Sequence, residues 1–279
     1  MSMIYRTEAG GLRLQERYRQ ALAEGPVPAE HLYLPTREGE TFVLACGPEQ
    51  APPLVLLHGS GANTAAWFAD LPAWSEHFRV YAVDLPGEPG LSAPSRPDLA
   101  TEAGALWLDD VFAGLGLQQA AVAGMSLGGW TALDYAIRRP DRVTRLSLLC
   151  PGGVGAQRRW RILGAALLML FGRRGKRLAA RLMTGLDRPG DQAVLDSVVE
   201  SFAQFRPRTE TLPVFPDEAL RTLAVPVQVT VGAHDLMFDS DQTARRVREC
   251  VPHAQVRVLP GVGHAVLGQT EPVLDFLRG

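Results

Sequence analysis

The sequence predicts a mostly parallel, doubly wound α/β sheet that opens with an antiparallel hairpin and carries a helical insertion. Three observations predict it. Short apolar runs closed by Gly or Pro recur between Leu54 and Leu259, as strands buried on both faces require. Helical stretches alternate with them, the rhythm of right-handed βαβ crossovers. Between Gly153 and about Asp217 that rhythm stops, and helix follows helix.

In chain order, residues 4–24 read as a surface helix with Leu12, Leu14, Tyr18 and Leu22 as its apolar minority, ended by Pro26 and Pro28. His31–Pro35 and Thr41–Cys46 flank the polar turn Arg37-Glu38-Gly39-Glu40 and read as a hairpin. Buried strands are expected at Leu54–Leu57, Arg79–Leu85, Ala120–Ala123, Leu146–Leu149, Val227–Val231 and Val256–Leu259. Helices are expected at Trp67–His77, Thr101–Leu115, Leu127–Arg139, Ser240–Glu249 and Glu271–Leu277. The insertion reads as Gln157–Phe171, Arg173–Met183 and Asp191–Gln204. Residues 1–153 and 218–279 then form the core and 154–217 a cap, in one compact unit.

The 279 residues suffice to bury a core without disulfides. A net charge of −2 exerts no general pull toward nucleic acid. Cys46, Cys150 and Cys250 are odd in number and widely spaced, so buried free thiols fit better than a disulfide framework or a zinc site. The N-terminus lacks the apolar centre of a secretory signal. The longest apolar run, Ile162–Phe171, is ten residues long, too short to span a bilayer. A cytoplasmic protein is expected, with no metal or cofactor, no nucleic-acid partner and no membrane association; a homodimer is compatible.

The chemistry concentrates at the ends of the apolar runs, where ligand sites form in such sheets. Gly124-Met125-Ser126-Leu127-Gly128 stands between a strand and a helix. A serine on such a strained turn needs small neighbours two residues before and after, so that chain and helix can pass closely. The helix behind it offers unpaired N–H groups and a positive dipole end. A serine hydroxyl needs a base, and His264 in Gly261-Val262-Gly263-His264 follows the last strand. That histidine needs a carboxylate to fix its tautomer. Asp235 follows the preceding strand; Asp239 and Asp241 are alternatives, or caps of the next helix. The loop His58-Gly59-Ser60-Gly61 can aim a backbone N–H at a carbonyl oxygen, so Ser60 and Leu127 are the expected oxyanion donors. His58 and Asp84 read as braces of their own loops, and His31, His77, His234 and His253 as bystanders. Met125, Trp67 and Val266 are expected at the substrate pocket.

The stretches LVLLHGSGANTAAW, YAVDLPGEPGLSAP, VAGMSLGGWTALDYAIRRPDRV, VTVGAHDLMF and VLPGVGHAV, in that order, resemble the α/β-hydrolase superfamily over nearly the whole chain. Within it the sequence is similar to bacterial carboxylesterases of the naproxen-esterase kind. The resemblance implies an α/β-hydrolase fold and the order Ser126, Asp235, His264 for nucleophile, acid and base. It also implies hydrolysis of small or medium apolar carboxylic esters through an acyl-enzyme. Relatives that cleave haloalkanes or epoxides carry an aspartate where Ser126 stands. Asp84-Leu85-Pro86-Gly87-Glu88-Pro89-Gly90-Leu91-Ser92 is one residue longer than the pattern of many relatives.

Other readings remain open on the sequence: a thioesterase or lactonase, a serine-dependent C–C bond hydrolase, or a ligand receptor on the same fold. The cap is basic and amphipathic around Trp160, Leu163, Leu167, Leu168, Leu170 and Phe171. The favoured expectation is a lid whose apolar face packs on the body while its arginines are solvated. A greasy substrate lid, a dimer contact and an anionic membrane surface are the alternatives. The space between Ser126 and the cap is expected to be apolar.

Overall fold

The structure is a computed structural model that describes residues 4–168 and 170–279. Met169, inside the expected helix 157–171, lies outside the described residues. The strands are β1 (Ala29–Thr36), β2 (Gly39–Cys46), β3 (Pro53–Leu57), β4 (Arg79–Val83), β5 (Ala120–Met125), β6 (Val143–Leu149), β7 (Val227–Gly232) and β8 (Gln255–Leu259). They form one sheet in the order β1-β2-β4-β3-β5-β6-β7-β8. β2 is antiparallel to both β1 and β4, and every other pair is parallel. β4 lies on one side of β3 and β5 on the other, so the winding reverses there. The crevice beyond the carboxyl ends of β3 and β5 is the switch point at which such sheets bind ligands.

The helices are α1 (Glu8–Ala23), α2 (Leu71–Trp74), α3 (Ala103–Gly114), α4 (Leu127–Arg138), α5 (Arg159–Leu168), α6 (Gly172–Thr184), α7 (Gln192–Gln204), α8 (Asp217–Arg221), α9 (Ser240–Cys250) and α10 (Thr270–Arg278). Alternate residues of each strand feed opposite cores, as the two-residue period of a strand dictates. Val55, Leu57 and Val122 pack with Trp107 and Phe112 of α3 and Tyr135 of α4. Leu54, Leu56 and Ala123 pack with Tyr18 of α1, Trp74 of α2 and Phe276 of α10. Cys46, Cys150 and Cys250 are free and buried.

Several boundaries differ from the sequence expectation, each for a local reason. The helix expected over Trp67–His77 is a 3-10 turn, Thr64–Trp67, followed by the four-residue α2. Asn63 caps the turn by accepting from the Ala65 N–H, and Pro72 can start a helix but supplies no N–H for a longer one. Trp67 consequently packs against Trp74, with ring centroids 5.6 Å apart. It has no accessible surface, so this expected pocket residue is a core residue instead. α5 starts at Arg159 because Gln157 is bridged antiparallel to Phe238. The short α8, absent from the sequence reading, returns the chain to β7.

Candidate active site

Ser126 occupies the step from β5 into α4 with φ 52° and ψ −110°, a backbone conformation that costs about 1–3 kcal/mol outside glycine. Tight packing holds it there. A Cβ on Gly124 would stand 2.4 Å from the Gly128 carbonyl oxygen, and one on Gly128 would stand 2.1 Å from that of Leu57. Gly124 and Gly128 therefore let α4 close directly onto β3 and β5.

His264, five residues after β8, brings Nε2 to 2.9 Å from Ser126 Oγ. Its Nδ1 stands 2.7 Å from Asp235 Oδ2. Asp235 Oδ1 accepts from the N–H groups of Met237 at 2.6 Å and Phe238 at 3.0 Å. A carboxylate so committed can only accept from Nδ1, which leaves Nε2 as the ring's acceptor facing the serine hydroxyl. Burial pushes the Asp235 carboxyl up, but the charge of His264, its hydrogen bond and the two backbone donors outweigh burial and hold it below the usual range. Phe238 covers the imidazole, with ring centroids 5.2 Å apart. Asp239 takes the other role considered for it: its side chain accepts from the Gln242 N–H at 2.9 Å and caps α9.

The loop after β3 lies beside the serine, since a Cβ on Gly59 would be 3.4 Å from Ser126 Cβ. His58 is fully buried and braces the loop: Nδ1 lies 2.8 Å from the Gly59 carbonyl oxygen, and Nε2 accepts from the Leu85 N–H at 2.9 Å. Nδ1 therefore carries the proton. Burial lowers the His58 pKa to about 4, so its 3.9 Å approach to Asp84 is not an ion pair. Asp84 ties its own surroundings together, accepting from Thr64 N–H, Leu91 N–H and the Tyr18 hydroxyl. Leu127 is the first residue of α4, so no intrahelical carbonyl is available to its N–H.

Two further residues reach the site that the sequence reading did not assign. Glu88 Oε2 accepts from the Gly61 N–H at 2.6 Å and the Ser60 hydroxyl at 3.1 Å, while its buried Oε1 has no partner. Ser201 of α7 donates to the Gly61 carbonyl. The only hint of the first was the lengthened 84–92 loop, and no local pattern marks the second. Cys150, just after β6, has φ 41°, and burial followed by the charge of Asp235 pushes its thiol up; it stays protonated beside the serine.

The cap segment touches all three loops. Ala265 N–H donates to Thr184 at 2.8 Å, Arg158 N–H to Met237 at 2.8 Å, and Asp239 N–H to Ala156 at 3.0 Å. Phe202 lies against Gly61, Leu212 against Gly152, and Met125 against Gly59. Val266 is buried beside Cys150. Arg158 is the cap cation that reaches a site loop, and it pairs there with Asp239 at 3.4 Å. A groove of about 450 Å³ between Pro53, Phe78, Ala121, Arg145 and Leu277 lies at the opposite, amino-terminal end of the strands, far from this chemistry.

Strand order, the serine turn and the hydrogen-bonded Ser-His-Asp chain define the class: the chain belongs to the alpha/beta hydrolase family, which it matches over residues 54–276. It is 32% identical to carboxylesterase YbfK of Bacillus subtilis over 100% of this chain and 98% of that one. The crystal structure of that carboxylesterase superposes with a TM-score of 0.79 at 33% identity, covering 97% of this chain and 96% of the other. Naproxen esterase of Bacillus subtilis superposes with a TM-score of 0.82 at 30% identity, covering 98% of both chains.

Proposed function

We propose that the protein is a serine carboxylesterase acting on small or medium apolar esters. The observation that carries the proposal is the unbroken run from Asp235 through His264 to Ser126, at 2.7 and 2.9 Å. The similarity to two carboxylesterases supports the same reading.

Ser126 Oγ attacks the ester carbonyl carbon as His264 Nε2 takes the hydroxyl proton. Asp235 stabilises the resulting imidazolium. The oxygen that gains charge accepts from the N–H groups of Leu127 and Ser60, each such donor being worth about 3 kcal/mol in the transition state. The tetrahedral adduct collapses, the C–O bond to the alcohol breaks, and His264 returns its proton to the alcohol oxygen. A water then repeats the attack on the acyl-serine, with His264 again accepting and returning the proton, and the acid leaves. Every step uses this chain's side chains and water. The buried free thiols support a reducing, cytoplasmic setting.

The test is hydrolysis of p-nitrophenyl esters from acetate to octanoate by the wild type and by Ser126→Ala. A folded variant with activity lowered by about four orders of magnitude or more is expected, together with fluorophosphonate labelling of Ser126 in the wild type alone. Retained ester hydrolysis in Ser126→Ala would sink the proposal.

A further inference from the structure

The cap helices α5 and α6 are built inside out. Their packed interior consists of small residues: Ala165, Gly175 and Ala179 are buried, and a Cβ on Gly175 would stand 2.0 Å from the Leu168 carbonyl oxygen. Large apolar side chains point the other way. Trp160 is 86% exposed, Leu170 79% and Phe171 74%, with Leu163 and Leu167 exposed as well. Trp160, Leu163 and Leu167 share one face of α5 by their spacing, and Leu170 and Phe171 extend the apolar surface into the following turn. Leu178 and Leu182 add a second exposed stripe on α6. The sequence expectation of a lid that buries its apolar face on the body is therefore corrected: a Trp and several Leu face outward where an ordinary lid would hide them.

The charge around this surface is one-signed. Between residues 157 and 186 there are eight Arg or Lys and no Asp or Glu, in a chain whose net charge is −2. Arg158 and Arg177 pair with Asp239 and Asp196. Among the described residues, Arg159, Arg161, Arg173, Arg174, Lys176 and Arg181 have no carboxylate at ion-pair distance.

We propose that the outer face of α5 and α6 docks on an anionic lipid surface, with the apolar residues around Trp160 and Phe171 entering the acyl boundary and the surrounding cations meeting the headgroups. An apolar face rimmed by Arg and Lys is what such a surface selects. A second copy docking through the same patch would oppose one cationic rim to another around a two-fold axis, which the one-signed charge disfavours. No helix among the described residues is long and apolar enough to cross a membrane; the docking proposed is peripheral. It revises the sequence expectation of no membrane association.

Trp160 supplies its own reporter. The other four tryptophans, Trp67, Trp74, Trp107 and Trp130, are buried, so the exposed fluorescence belongs to Trp160. The full chain is mixed with vesicles of phosphatidylglycerol and phosphatidylcholine in equal parts, or of phosphatidylcholine alone, and bound protein is separated by flotation. The expected result is binding to the anionic vesicles with a blue shift of Trp160 emission that Trp160→Phe abolishes. Trp160→Glu with Phe171→Glu, and separately Arg173→Glu with Arg174→Glu, weaken binding at least about tenfold while the unfolding midpoint is unchanged. Raising salt from about 0.1 to 0.5 M weakens it further. No binding to anionic vesicles, equal binding to neutral ones, or a dimer in sedimentation that Trp160→Glu dissolves would each overturn the proposal. Binding is read without substrate, so its failure is separate from failure of the esterase reading.

Discussion

The Ser201 hydroxyl on the cap donates to the carbonyl oxygen of Gly61 at 2.5 Å, across 140 residues of sequence. Glu88 grips the N–H of the same residue, in the preceding Ser60–Gly61 peptide. Ser60, the proposed oxyanion donor, is thus clamped between the cap and the loop after β4. Ser201→Ala leaves the Gly61 carbonyl without that partner and loosens the clamp. A net hydrogen bond of about 1 kcal/mol corresponds to a roughly fivefold rate loss if it is felt mainly in the transition state. The expected signature is a fall in kcat for a p-nitrophenyl ester with KM nearly constant. An unchanged kcat alongside a lower unfolding midpoint would assign Ser201 to stability alone.

Asp235 and Asp239 are four positions apart and do different work in the structure. Asp235 faces His264 at 2.7 Å, whereas Asp239 caps α9. Asp235→Asn keeps the shape but loses the charge and the tautomer control, so kcat should fall by about 10³–10⁴ with the fold intact. Asp239→Ala loses a helix cap worth about 1 kcal/mol and should keep ester hydrolysis within a few-fold of the wild type. Steady-state kinetics paired with thermal unfolding of both variants separates the roles. Comparable kinetic losses in the two would contradict the assignment.

Ser126, Asp235 and His264 were legible because each sits within a few residues of a strand end, where local spacing alone predicts placement. The sheet was legible for the same reason, since the alternation of apolar runs and helices is written along the chain. Contacts between distant segments were not. Ser201 has no local feature that points to Gly61, and Glu88 was visible only as part of a lengthened loop. Trp67 was misplaced because Asn63 and Pro72 break the expected helix, turning the ring into the core. The cap differs in kind: its sequence shows which residues share a face, but not whether that face turns inward. The buried positions of these helices are the small residues Ala165, Gly175 and Ala179, and Gly175 lies close against the Leu168 carbonyl.

Gly164 of the cap and Gly128 of the serine turn respond oppositely to alanine. A Cβ at Gly128 meets the backbone oxygens of Leu57 at 2.1 Å and His58 at 2.4 Å, neither of which can give way. Gly128→Ala should therefore destabilise the protein by more than about 3 kcal/mol or prevent its accumulation, as overpacking against backbone does. Gly164 lies inside α5 with nothing within 4 Å of a new Cβ. Gly164→Ala should stabilise by about 0.5–1 kcal/mol through helix propensity. Denaturant unfolding of the two variants checks the contrast, and a destabilised Gly164→Ala would show that α5 needs that glycine for a close approach.

Burial raises several carboxyls, Asp70 and Asp134 among them, and in Glu88 and Asp84 it does so far enough that their pH dependence runs clearly against the usual direction. Glu88 is raised to about 7 by burial, opposed by the Gly61 N–H, the Ser60 hydroxyl, Arg96 and Arg208. Asp84 is raised to about 6 by burial, opposed by the Leu91 and Thr64 N–H groups and the Tyr18 hydroxyl. Between the ordinary carboxyl range and these values the folded state binds more protons than the unfolded chain, so stability from these groups is full at low pH and falls as pH rises toward 7. His58, lowered to about 4 by burial, works in the opposite sense between about pH 4 and 6.5. The informative quantity is thus the difference between the wild type and a variant. Glu88→Gln removes the cost of ionising a buried group, on the order of a few kcal/mol, while its amide oxygen can still accept from Gly61. Its unfolding midpoint should gain on that of the wild type steadily from pH 5 to pH 8, and Asp84→Asn should show its gain mostly below pH 7. Midpoints measured at unit pH steps decide the matter. A constant offset between Glu88→Gln and the wild type across that range would mean that Glu88 does not change its charge there.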